Sequence, residues 1–128
     1  MEDDRMSEKF YTEDHEWVSH DNGECTIGIS KHAADELGEV VFVDLNDEGS
    51  DISVKDEFGS VESVKTVSGL YSPVEGEISS VNQSVVDSPE LLSDDPEGAA
   101  WLVKIKVSNF DSEDLMTESA YKEYLETL

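Results

Sequence analysis

The stretch from residue 59 to residue 76 leaves the chain little choice of local fold. It contains Val61-Glu62-Ser63-Val64-Lys65-Thr66-Val67-Ser68, with Gly59 before it and Gly69, Pro73 and Gly76 after it. Two short β-branched runs on either side of one lysine, closed off by Gly and Pro, read as strand, tight turn and strand. Such a hairpin holds the Lys65 amine out where another protein can reach it. Lysine is scarce, seven among 128 residues, so one placed between valines is not a generic solvated charge. It reads as a lysine that carries something.

The rest of the chain is built from similar pieces. Residues 10–12 and 17–20 read as short strands, and Asp21-Asn22-Gly23 is a hairpin signal that returns the chain into residues 25–29. Ser30 is placed to cap a short helix over 31–37 that stops at Gly38. Residues 39–45 are apolar and β-branched, Asn46-Asp47-Glu48-Gly49 turns the chain, and residues 58–64, 67–71, 75–81 and 101–107 complete the strands. Residues 87–98, with two prolines and five acids, read as a surface loop. Tyr121, Tyr124, Leu125 and Leu128 are spaced i, i+3, i+4, i+7, which predicts a C-terminal helix capped by Thr117 and laid across the sheet. Gly38-Glu39-Val40-Val41-Phe42-Val43 echoes Gly76-Glu77-Ile78-Ser79-Ser80-Val81 at an offset of 38, which suggests a sandwich with approximate two-fold symmetry. The expected organisation is a flexible acidic tail over 1–9 and one domain over 10–128.

Charge narrows the partners. Thirty-two Asp and Glu face eight Lys and Arg, a formal net charge of −24. Phosphates of nucleic acid and an anionic membrane surface would both be repelled. Self-repulsion also works against the compact state at low ionic strength, whereas at about 1 M salt the Debye length shrinks to about 3 Å. The expectation is a monomer of a high-salt cytoplasm. No apolar run near the start suggests a secretory signal. The one cysteine, Cys25, alternates inward with Ile27 and Ile29 and reads as a core residue.

Nothing in the sequence resembles a self-sufficient catalytic site. His15, His20 and His32 fit no common zinc spacing, and no phosphate loop or nucleophile elbow is present. Among 32 acids, pairs of carboxylates are uninformative. His15 reads as packing beside Trp17.

Several segments in order carry a more specific signal: Tyr11-Thr12-Glu13-Asp14-His15-Glu16-Trp17-Val18, Thr26-Ile27-Gly28-Ile29, Leu37-Gly38-Glu39-Val40-Val41-Phe42-Val43-Asp44-Leu45, Glu62-Ser63-Val64-Lys65, Ser72-Pro73-Val74-Glu75-Gly76-Glu77-Ile78 and Gly98-Ala99-Ala100-Trp101-Leu102-Val103-Lys104-Ile105. Together they resemble the H protein of the glycine cleavage system from about Phe10 to Leu128. The resemblance implies a mainly β barrel-sandwich hybrid of two antiparallel sheets, with a lysine-bearing hairpin, a short helix near 31–37 and a C-terminal helix. It implies lipoic acid in amide linkage at Lys65, with Glu62, Ser63 and Val64 as the context read by a lipoylating enzyme. The partners implied are the glycine decarboxylase (P protein), the tetrahydrofolate-dependent aminomethyltransferase (T protein) and dihydrolipoyl dehydrogenase (L protein), with the chain itself a non-catalytic shuttle. In the family an acid contacts the carried aminomethyl group, and the matching residue is Glu16. The family often has Ser at Asp14 and Asp at Gly69, which makes Asp14 the candidate to supply that second charge from another side. The alternative is an H-like protein relaying lipoyl groups to other acceptors. Biotin carriers usually place their lysine in Met-Lys-Met, and lipoyl domains of 2-oxoacid dehydrogenases in Asp-Lys-Ala; Val64 and Thr66 match neither.

Overall fold

The computed structural model describes residues 9–128. Residues 1–8 of the expected tail lie outside the described residues, whereas Lys9 is not tail but the first residue of β1 (Lys9–Tyr11). Nine more strands follow among the described residues: β2 (Glu16–Asp21), β3 (Glu24–Ile29), β4 (Val40–Leu45), β5 (Asp51–Ile52), β6 (Glu57–Ser63), β7 (Val67–Tyr71), β8 (Gly76–Val81), β9 (Val103–Lys106) and β10 (Met116–Thr117). Four helices join them: α1 (Lys31–Leu37), α2 (Gln83–Asp87), α3 (Leu91–Asp94) and α4 (Glu118–Glu126).

The strands form two antiparallel sheets. One has the order β10-β1-β2-β3-β9-β8-β5, and the other is β4-β6-β7. Period-two alternation sends Val18, Ile27, Ile78, Val103 and Ile105 from the large sheet, and Val43, Phe58, Val61 and Leu70 from the small one, into a single buried core. This is the mainly β, two-sheet architecture expected. Cys25 is fully buried within it, where loss of solvation pushes its thiol up to about 12.

The sequence echo has a structural counterpart. β4 carries a bulge between Val40 and Phe42, and β8 carries one between Ile78 and Ser80, the same two places in the repeat. The two units lie in different sheets, as an approximate two-fold relation across the sandwich requires.

Two expectations are corrected. Residues 87–98 are not simply a surface loop. They begin at the last residue of α2 and contain α3, and Leu92 is fully buried, as is Val85 in α2. Burying these two side chains outweighs the local excess of acids, of which Asp87, Glu90, Asp94 and Asp95 stay exposed while Glu97 accepts from the Tyr11 hydroxyl at 2.7 Å. The last long strand begins at Val103, not at 101, because the Asn82 amide donates to the carbonyls of Ala99 (3.0 Å) and Trp101 (2.8 Å).

The C-terminal helix forms where expected. The Thr117 hydroxyl accepts from the Ala120 amide at 3.2 Å, closing its first turn. Its buried contact is narrower than the spacing implied. Tyr121 stacks on Tyr11, ring centroids 4.4 Å apart, in a small cluster with Trp17. Leu128 lies past the helix and is 68% exposed.

Candidate functional site

Ser63 builds the turn that presents Lys65. Its hydroxyl accepts from the amides of Lys65 (3.1 Å) and Thr66 (3.2 Å), and its own amide donates to the Thr66 carbonyl at 2.8 Å. The Val64 amide donates to the Glu39 carbonyl at 3.0 Å, which ties the turn to the start of the β4 segment. Ser63 is buried, while Glu62, Val64 and Lys65 are exposed. The end of the Lys65 side chain crosses Gly38, where a Cβ would stand 3.3 Å from Lys65 Cε. Gly38 also has φ +75, so glycine suits both the conformation that ends α1 and the approach of the lysine.

A cleft of about 650 Å³ lies beside this turn. One wall is α1, through His32, Glu36 and Leu37; another is the hairpin from Thr66 to Leu70; the loop Asp14-His15-Glu16 and the chain end at Leu128 complete it. The fold thus brings Asp14 and Glu16 to the same cleft as the returning arm of the lysine hairpin, from fifty or more positions away in sequence.

Glu16 is 2% exposed. One carboxylate oxygen accepts from the Thr12 hydroxyl at 3.0 Å and the other from the Tyr71 amide at 3.1 Å. These two bonds join the first loop to the end of β7. They favour the charged form, yet burial outweighs them and pushes the carboxyl up to about 7, with the Asp14 charge adding to the rise. Glu16 is therefore poised between neutral and charged near physiological pH. A cation entering the cleft would draw it to the charged side. Asp14 is exposed at the rim, and its amide donates to the Thr12 hydroxyl at 3.2 Å.

His15 does not pack on Trp17 as expected. Its backbone sits at φ +70, with its amide on the Thr12 carbonyl (3.0 Å) and its carbonyl accepting from the Ser30 amide (2.8 Å). Its Nδ1 is 2.8 Å from the Tyr121 hydroxyl, which is in turn 2.7 Å from Ser30 Oγ. The His32 ring lies 4.8 Å away, centre to centre. Burial and the neighbouring His32 lower the His15 pKa, so the His15 ring faces the cleft with little tendency to add positive charge. Tyr121, Ser30 and His32 were not identifiable from sequence as neighbours of His15. The helical spacing placed Tyr121 on the buried face, but nothing local said which loop it would reach.

Gly69 also gains a neighbour that sequence reading missed. A Cβ at Gly69 would lie 2.7 Å from the Tyr71 hydroxyl and 2.8 Å from Glu57 Oε2. A carboxylate therefore occupies the space over Gly69 although that residue has none. The signal was the antiparallel register, which sets Glu57 opposite Tyr71.

Among the described residues, no cluster of His, Cys, Asp and Glu is arranged to hold a metal ion, and no helix is long and apolar enough to cross a membrane. The one ion pair among them is Lys31–Asp35 at 3.4 Å. The acids among the described residues therefore stand largely without cationic partners.

Comparison with known proteins agrees with this picture. The glycine cleavage H-protein family model matches residues 9–128. A glycine cleavage system H protein of Herpetosiphon aurantiacus is 47% identical over 118 residues, covering 92% of this chain and 91% of that protein. One of Dinoroseobacter shibae is 50% identical over 104 residues, covering 81% and 85%. The crystal structure of a glycine cleavage system H protein from Mycobacterium marinum superposes with a TM-score of 0.86 at 36% identity, covering 94% of this chain and 98% of that one.

Proposed function

The chain belongs to the glycine cleavage H-protein family, and we propose that it is the lipoyl-carrying shuttle of a glycine cleavage system, with Lys65 as the attachment point. The observation that carries this reading is the placement of Lys65. It is an exposed amine on a turn held by Ser63, beside an open cleft that contains a buried carboxylate. An extended arm on Lys65 fits that arrangement, because the turn is exposed and the cleft starts at Thr66.

When bound, the lipoyl group supplies a disulfide that takes up an aminomethyl group as it is reduced and is restored by reoxidation. The residues of this chain do the rest by position and charge. Lys65 tethers the arm, and neutralising its amine in an amide removes a charge that would hold it in water. Glu16, drawn to its charged form, balances the amine of the carried group, with Asp14 at the rim and the Glu57 carboxylate over Gly69 adding negative potential. The cleft shields the cargo from water between enzymes. The chain is then a carrier, and the decarboxylase, the aminomethyltransferase and dihydrolipoyl dehydrogenase hold the catalytic groups. The acid excess, with one ion pair among the described residues, fits a salt-rich cytoplasm, where close screening relieves self-repulsion.

The deciding experiment is intact mass with peptide mapping of protein from its native host, followed by glycine–bicarbonate exchange with the decarboxylase. A lipoyl adduct confined to Lys65 and active exchange are expected. An unmodified Lys65 in cells that lipoylate other proteins would refute the carrier role.

A further inference from the structure

Seven large apolar side chains are exposed among the described residues, and four of them belong to the region of the Lys65 turn: Val41, Phe42, Val64 and Val67. For Val41 and Phe42 the cause is the β4 bulge. The extra residue between Val40 and Phe42 breaks the alternation, so Val41 and Phe42 both face outward while Val40 and Val43 stay buried. Phe42 is 54% exposed, Val64 and Val67 65% each. The register sets Phe42 opposite Glu62, and Glu62 opposite Val67, so the three form one row across the small sheet. Directly paired side chains in such a row are roughly 5 Å apart. The exposed acids Glu39 and Asp44 flank the row along the β4 segment. Apolar surface gathered in this way, rimmed by charge, marks an interaction site.

We propose that this patch is the docking face for the enzyme that acylates Lys65, a partner presenting an apolar pocket for Phe42 and Val67 with basic side chains set for Glu62, Glu39 and Asp44. The inference rests on the carrier reading of Lys65. Such an enzyme must select one amine from seven, and before modification the lysine side chain offers it nothing distinctive. The contacts that mark Lys65 must therefore come from the fixed surface beside it, and that surface is both unusually apolar and acidic. In the reaction the Lys65 nitrogen attacks the carbonyl of an acyl adenylate. An amide bond forms, the bond from the acyl carbon to the phosphate oxygen breaks, AMP leaves, and the lysine ammonium gives up two protons to solvent.

The test is acylation of the full-length unmodified chain by a purified lipoate–protein ligase with lipoyl adenylate, followed by mass spectrometry. Phe42→Ser and Val67→Thr are compared with wild type and with Val54→Ser, an exposed apolar residue outside the row. We expect kcat/KM to fall at least tenfold for Phe42→Ser, severalfold for Val67→Thr, which keeps strand propensity, and less than twofold for Val54→Ser. Lys65 acylated at the wild-type rate in both row variants would overturn the docking face and leave the carrier reading standing. Unchanged acylation with weakened binding to the decarboxylase would assign the patch to that enzyme and equally overturn the proposal. Wild-type chain that is never acylated at Lys65 would remove the carrier reading itself.

Discussion

Replacing Glu16 by Gln should change how stability depends on pH, by an amount the structure sets. Burial raises the carboxyl of Glu16 from 4.5 to about 7 despite the bonds from Thr12 and Tyr71. The native state therefore holds the Glu16 proton more tightly than the unfolded chain does. By linkage, stability from this group is fully present below pH 4.5 and is lost as pH rises toward 7. At about 1.4 kcal/mol per unit, the loss is about 3 kcal/mol. Glutamine cannot ionise, so Glu16→Gln lacks this loss. It forfeits one of two acceptors, at a cost of about 1–2 kcal/mol that does not vary with pH. The variant should be less stable than wild type at pH 4 and more stable at pH 8, with the difference moving by about 3 kcal/mol between them. Urea unfolding at both pH values in about 1 M KCl measures it, the salt damping the repulsion among other acids. All other titrations are common to both chains and cancel in the difference. A gap that stays constant with pH would show that Glu16 is not raised by burial, and would withdraw the poised carboxylate on which the cation-binding argument depends.

Other perturbations probe separate parts of the site. Tyr121→Phe removes the hydroxyl shared by His15 and Ser30 and should cost about 1 kcal/mol in urea unfolding; it should also shift the His15 ring nitrogens in NMR spectra, and an unmoved His15 would refute the bridge. Gly38→Ala forces a side chain to φ +75 and toward Lys65, so a loss of about 1–2 kcal/mol is expected, and a neutral result would mean that the α1 end is free to rearrange. Raising KCl from 0.1 to 2 M should increase the melting temperature by several degrees, because the acids among the described residues have few cationic partners; a midpoint indifferent to salt would refute the high-salt assignment. Glu57→Gln should shorten the lifetime of the aminomethyl cargo on the loaded protein without altering lipoylation at Lys65, and an unchanged lifetime would remove Glu57 from the cleft's chemistry.

What could be read from sequence was local. The lysine turn was legible because Ser63, Lys65 and Thr66 settle it within three residues, and the C-terminal helix because Thr117 and the tyrosine spacing act over one or two turns. The neighbours that give the cleft its character were not, because they meet only through the fold. His15 and Tyr121 are 106 positions apart, and the Glu16 contact to Tyr71 spans 55. No periodicity reports such pairs. The two short helices after β8 were hidden for another reason: Val85 and Leu92 are single anchors in an acidic segment whose average composition is that of a loop. The bulge in β4 is the most consequential of these gaps. Val40-Val41-Phe42-Val43 reads as one apolar, β-branched strand, and only the inserted residue turns two of those side chains outward beside Lys65. A plain alternating strand in that place would bury either Val41 or Phe42 and leave the lysine turn with a smaller apolar border. The same irregularity recurs at Ile78 and Ser80, where Ser79 and Ser80 stand in place of Val41 and Phe42 and half-bury instead of projecting. The backbone device is thus shared by both halves of the repeat, and the side chains set on it differ where one half meets the lysine.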